Sequence, residues 1–390
     1  MKRFLLISLL LVSVFMLASC GGNKAATTDG PIKIGGVFDL TGPTSGPGTP
    51  YADGVKAFVD WKNQNGGVNG RKLELISQDY AYKVPQAEQL YSQYVNQDKV
   101  VAFQGWGTGD TEALRGKIAE DKIPFMSASY SINMADIKEA PYNFLVGTTY
   151  SDQMVIALQW VLEQGGKKVA VLHHDSPFGK SPVPDGEAFA KANGLEWMAV
   201  AMPGGATDLT PELSQLQSFG AEYIIVQNVS SPAALAIRNA KDLGMDAQFV
   251  CLNWCADESL VELAGDAAEG VVGTLPFTPP SVDVPGDDNV RKYAESKGQN
   301  LNEIGLHYTQ GWWTMAVMAE GIERAAKKGD VTGENIKAAL ETISNFDTGG
   351  VTSPITFTAT DHRGSKALKL FQVKNGGWEQ LSDYIESSLK

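Results

Sequence analysis

Metal-ligating and thiol side chains are scarce, with three cysteines and four histidines among 390 residues. Neither paired CxxC spacing nor an HExxH stretch occurs, so a structural zinc site and zincin chemistry have no basis here, and no metal or cofactor is expected. Basic residues are also in deficit: Lys and Arg total 32 against 45 Asp and Glu, a net charge of −13. Such a chain repels a polyanion, which argues against nucleic acid as a partner. No apolar run reaches the roughly 18 to 20 residues that a membrane-spanning helix needs. What is present is a globular mixture, 43% hydrophobic, 20% charged and 9% aromatic, which excludes disordered and collagen-like chains. At roughly 150 residues per domain the length suggests two domains.

The first 19 residues read as an address. Lys2 and Arg3 precede an apolar run from Phe4 to Leu17, and small Ala18 and Ser19 follow, the pattern of a secretory signal peptide. Leu17-Ala18-Ser19-Cys20 resembles the lipobox of bacterial lipoproteins, which implies cleavage before Cys20 and diacylation of its thiol. Acyl chains there tether an exported domain to the periplasmic or extracellular side of a bacterial membrane. Residues 20–31 then form a lipidated cysteine and a flexible polar tether, and the fold starts near Ile32.

From Ile32 onward, apolar runs alternate with amphipathic stretches. Strands are expected at Ile32–Leu40, Leu73–Ser77, Val100–Gln104 and Phe125–Ser127, with helices over Ala52–Asn65, Gln86–Gln97 and Thr111–Asp121 between them. A second series places strands at Lys168–His173, Tyr223–Gln227, Phe249–Leu252 and Val271–Leu275, alternating with helices. The break falls near Val146–Ser151, so two doubly wound α/β sheets are the economical reading. A long helix near Tyr308–Lys327, a shorter one near Glu334–Ile343 and a β-rich tail from Ile355 close the chain.

Open parallel sheets bind ligands beyond the carboxyl ends of their strands. Those ends carry Asp39-Leu40-Thr41, Asp79-Tyr80, Gln104-Gly105-Trp106 with Thr108, and Ser127 through Ser131 in the first half. In the second they carry His174-Asp175-Ser176 with Phe178, Gln227-Asn228 and Asn253-Trp254. Hydroxyls, amides and rings with few charges suit a small, partly apolar molecule. Gly105, Gly107 and Gly109 present N–H groups at a helix start, which favours an anion.

Four motifs sharpen this. Lys33-Ile34-Gly35 runs into Leu40-Thr41-Gly42-Pro43; the others are Asn65 through Leu75 (NGGVNGRKLEL), Ile123 through Ser127 (IPFMS) and Ala264 through Gly270 (AGDAAEG). Together they resemble the branched-chain amino acid (Leu/Ile/Val-binding) family of type I periplasmic solute-binding proteins of ABC importers. The resemblance implies two Rossmann-like doubly wound lobes joined by three hinge crossovers, with residues 32–147 plus 276–353 in lobe one and 148–275 plus 354–390 in lobe two. It implies no enzyme but a monomer that captures a small carboxylate-bearing solute as its lobes close. The partners implied are an ABC permease and its ATPase.

Matched by position, Thr108 and Ser131 are expected to hold the ligand's carboxylate, and the Ser129 carbonyl its ammonium. The family's lobe-two acid is replaced by Asn253, so either Asp175 or Asp110 supplies the charge or the ligand lacks an amine. Phe178 stands near a family tyrosine and Val229 near a family aromatic residue. Trp106, Tyr130 and Trp254 add ring surface, unless they are core and hinge packing.

His173-His174-Asp175-Ser176 cannot converge as a triad, because neighbours at a strand end point to opposite faces. His307 and His362 read as surface histidines. Cys251 and Cys255 form either a disulfide or two buried thiols. Tyr308, Trp312, Trp313, Met315 and Met318 have the spacing of a buried helix face. A ligand sensor working with a partner protein is the alternative to a transport receptor. It calls for an output domain or membrane helix, which the stretch to Lys390 does not carry.

Overall fold

A computed structural model describes residues 30–389; the signal peptide, Cys20 and residues 21–29 of the tether lie outside the described residues. The first sheet contains β1 (Ile32–Phe38), β2 (Leu73–Asp79), β3 (Ala102–Gly105), β4 (Phe125–Ser127) and β5 (Asn143–Phe144), all parallel in the order β2-β1-β3-β4-β5. The second contains parallel β6 (Lys168–His174), β7 (Glu196–Met202), β8 (Tyr223–Gln227), β9 (Gln248–Cys251) and β10 (Val272–Leu275). Antiparallel β11 (Ala367–Lys374) joins it beside β10, with β12 (Gly377–Gln380) at the edge and β13 (Ile385–Glu386) also on β11. The inner strands are apolar runs because helices cover both faces: Val169 to Leu172 of β6 have no exposure at all.

Helices α1 (Ser45–Gln64), α2 (Val84–Gln93) and α3 (Thr108–Asp121) connect the first sheet's strands, and α4 (Tyr150–Glu163) leads to the second. There α5 (Pro177–Lys180), α6 (Val183–Ala192), α7 (Thr210–Phe219), α8 (Ser230–Asp242) and α9 (Glu258–Ala264) follow. After β10 the chain forms α10 (Asp288–Ser296), α11 (Leu301–Ile304), α12 (Leu306–Lys328) and α13 (Gly333–Leu340). The α12 backbone lies directly against that of α1, since a Cβ on Gly54 would overlap the Tyr308 carbonyl and one on Gly311 the Tyr51 carbonyl. The segment after β10 thus returns to the first sheet's side.

The return to the second sheet comes later than the Ser353 boundary expected. Ile355 pairs with Phe346, Gly364 N–H donates to the Leu145 carbonyl, and His362 stacks on Phe144 with ring centroids 3.9 Å apart. These ties hold residues 355–364 beside β5, and β11 begins only at Ala367. Strand β7 is absent from the sequence expectation because Glu196–Met202 is rich in helix formers and lies at a sheet edge, half-exposed. His307 and His362 are buried rather than at the surface, because each finds a distant acid, Asp257 and Glu341 respectively. Cys251 and Cys255 are buried free thiols rather than a disulfide. Among the described residues no helix is long and apolar enough to cross a membrane.

Candidate ligand-binding cleft

The site grows from strand ends. Beyond β1 the buried Asp39 carboxylate accepts from Gly42 N–H at 2.6 Å, Thr44 N–H at 2.8 Å and the Thr44 hydroxyl at 2.7 Å, which fixes the loop. Thr44 Oγ1 then accepts the indole N–H of Trp106 at 2.8 Å, orienting that ring. Past β3, Gly107 is the N-cap of α3, where a Cβ would overlap the Asp110 carboxylate and the Tyr80 hydroxyl. Gly107 has no side chain to cap this helix, although the Asp110 carboxylate accepts from the Gly107 and Asp110 N–H groups, and the positive end of the helix faces the space in front. Thr108 Oγ1 lies 2.8 Å from Ser129 Oγ, and both hydroxyls turn toward the Tyr150 phenol.

From the other sheet come Phe178 in α5, Val229 ahead of α8 and Trp254 beyond β9. Trp254 donates its indole N–H to the Tyr150 oxygen at 3.0 Å. A narrow, nearly closed cavity lies between, lined by Thr44, Tyr82, Trp106, Gly107, Thr108, Ala128, Tyr150, Phe178, Val229 and Trp254.

Four residues singled out from the sequence, Trp106, Thr108, Phe178 and Trp254, line the cavity. Ser129 stands one layer behind, bonded to Thr108, and Tyr130 stacks on Trp254 at 6.0 Å. Three do not reach the wall. Ser131 donates its hydroxyl to Glu112 at 2.7 Å and caps the short turn Ile132–Met134. Asp175 is exposed and ion-paired with Lys180 at 2.6 Å, which holds its carboxyl below the usual range. Asn253 is buried, its backbone N–H donating to Gln153 at 3.1 Å, and its side-chain amide meets no protein partner.

Sequence reading missed Thr44, Tyr82 and Tyr150. Tyr150 had a signal: Thr149-Tyr150-Ser151-Asp152 is a helix start, with Thr149 Oγ1 accepting Asp152 N–H at 3.0 Å. Thr44 lies just past Leu40-Thr41-Gly42-Pro43, and Tyr82 just past Asp79-Tyr80, so both were within the loops already marked.

The electrostatics are one-sided. Burial pushes the Asp110 carboxyl up to about 7 even though the Tyr80 hydroxyl donates to it at 2.8 Å. Burial likewise raises the Tyr150 phenol to about 12, so it stays neutral. Behind Trp254 lies His307, stacked at 5.0 Å. Burial opposes its charge, but Asp257 at 2.8 Å outweighs this and holds the imidazole above its ordinary pKa.

Residues 31–378 match the family described as periplasmic binding protein. A solved branched-chain amino acid ABC transporter protein from Thermus thermophilus, with bound valine, superposes with a TM-score of 0.88 at 29% identity, covering 92% of this chain and 98% of that one. The leucine-, isoleucine-, valine-, threonine- and alanine-binding protein of Pseudomonas aeruginosa is 26% identical over 319 residues, 79% of this chain and 82% of its own. The Leu/Ile/Val-binding protein of Escherichia coli K12 is 25% identical over 271 residues, 67% and 72% of the two chains. These relatives are solute-binding proteins and not enzymes, and the fold they share with this chain is the type I periplasmic binding fold. A match running through both sheets and the returning helices makes this chain a member of the periplasmic binding protein family.

Proposed function

We propose that this protein is the solute-binding subunit of an ABC importer, exported and held at the membrane by lipid on Cys20. It captures a small carboxylate-bearing solute between its two lobes and delivers it, as a monomer, to a permease and its ATPase. Lobe one comprises 32–147 and the segment returning after β10; lobe two comprises 148–275 and the C-terminal strands. The observation that carries the reading is the buried Thr108–Ser129 hydroxyl pair at the start of α3, beside a cavity walled by both halves. A carboxylate accepts several hydrogen bonds, and charge-assisted ones contribute about 1.5–3 kcal/mol each. For a solute of about ten heavy atoms, the per-atom ceiling allows micromolar to nanomolar affinity. The apolar remainder rests on Phe178, Val229 and the ring edges of Trp106 and Trp254. The relatives' names make branched-chain amino acids and acids of their size the first solutes to try.

Replacing Thr108 with alanine tests the site. Calorimetric affinity for the bound carboxylate should fall about tenfold or more with the melting temperature little changed; unaltered affinity would count against this placement.

A further inference from the structure

We propose that the solute of this cleft carries no amine: the site is built for a carboxylate with an apolar or aromatic tail. The inference rests on the carboxylate reading above and narrows it.

The cavity wall holds no charged side chain. Apart from Asp110, the acids in the surrounding loops have other tasks. Asp39 is spent on Gly42 and Thr44, Asp79 on Leu40, Thr41 and Ala81, and Glu112 on Ser131 and Asn133. Asp175 pairs with Lys180 at the surface. Asp257 accepts from Ser230 at 2.6 Å and Leu260 N–H at 2.8 Å while facing His307. Asp110 lies behind the wall at Gly107, its Oδ1 engaged by Tyr80 and its Oδ2 buried without a hydrogen-bond partner. A desolvated ammonium in this cavity would therefore face no carboxylate on the wall itself, an unfavourable arrangement.

Aromatic rings could substitute by offering their negative faces to a cation. These rings are engaged with one another. Trp254 stacks with both Tyr130, nearly parallel at 14°, and His307 at 27°. Trp106 meets Trp254 in an edge contact at 5.0 Å, and Phe178 meets Tyr150 likewise at 5.4 Å. Stacking partners thus already occupy the Trp254 ring, which leaves less of its negative face for a cation. A wall of engaged rings with no charged side chain favours an amine-free acid over its amino acid.

The test is calorimetry on the mature protein in detergent, unfolded and refolded to strip carried solute. Three matched pairs are titrated: leucine with 4-methylpentanoate, valine with 3-methylbutanoate, and phenylalanine with 3-phenylpropanoate. At least one amine-free acid should bind about 30-fold or more tightly than its amino acid. Equal or tighter binding of the amino acids overturns the inference and leaves the carboxylate reading standing. Failure of all six overturns the carboxylate reading and the inference together. Mass spectrometry of the solute released from unstripped protein reads the same question: an amine-free acid supports the inference, and an amino acid overturns it. A Val229→Glu variant, which adds the missing charge to the wall, should move the preference toward the amino acid by tenfold or more; no movement counts against it.

Discussion

The indole N–H of Trp254 lies 3.0 Å from the phenol oxygen of Tyr150, tying the loop beyond β9 to the first turn of α4. The same oxygen lies by the Thr108 and Ser129 hydroxyls. One phenol therefore links the polar end of the cleft to the ring that closes its apolar side.

A Trp254→Phe substitution keeps an aromatic ring at this place but deletes the donor. Loss of a buried neutral hydrogen bond costs about 1 kcal/mol, more where the acceptor is left unpaired. Solute affinity should fall about five- to tenfold, measured by calorimetry, with the type I fold retained by circular dichroism.

The contact between α1 and α12 gives a prediction of unusual sign. In an exposed helix, glycine to alanine stabilises by roughly 1 kcal/mol. Here a Cβ on Gly54 would overlap the Tyr308 carbonyl, so Gly54→Ala must push two helices apart. A destabilisation of about 1–3 kcal/mol is expected from such overpacking, visible as a lower midpoint in urea. An exposed control, Gly116→Ala in α3, meets nothing within 4 Å and should be neutral or stabilising.

Asp110 makes stability depend on pH. Its folded pKa stands near 7, above its ordinary 3.8, because it is buried. Between pH 4 and 7 the native state thus keeps a proton that the unfolded chain has released, and this contribution to stability fades as pH rises through the window. Asp287, also raised to about 7 by burial, acts in the same direction. An Asp110→Asn variant retains an acceptor for Tyr80 and removes the titration. Its melting temperature relative to the parent should climb from pH 5 to pH 8; a constant difference would refute the role given to Asp110.

Much of this was legible because buried parallel strands are apolar runs, as Val169 to Leu172 show, and because strand ends locate the cleft. That rule marks Trp106, Thr108 and Trp254, all of which line the cavity. What escaped depended on partners distant in the fold. Ser131 turns to Glu112 of α3, and Asp175 turns to Lys180 outside the cleft, choices no local pattern fixes. His307 looked like a surface histidine until α12 set it against Asp257, fifty positions earlier in the chain. Three motifs of the first half and the Ala264–Gly270 segment indicated the family, but which side chains form the neutral cavity wall came only from the packing.

The central claim is that the Thr108–Ser129–Tyr150 hydroxyls and the start of α3 hold a carboxylate. It is tested most directly by titrating the stripped protein with whichever acid binds best and with that acid's primary amide and methyl ester. The account predicts that both neutral analogues bind at least a hundredfold more weakly, having lost the charge-assisted hydrogen bonds. Amide or ester binding within a few-fold of the acid would contradict it.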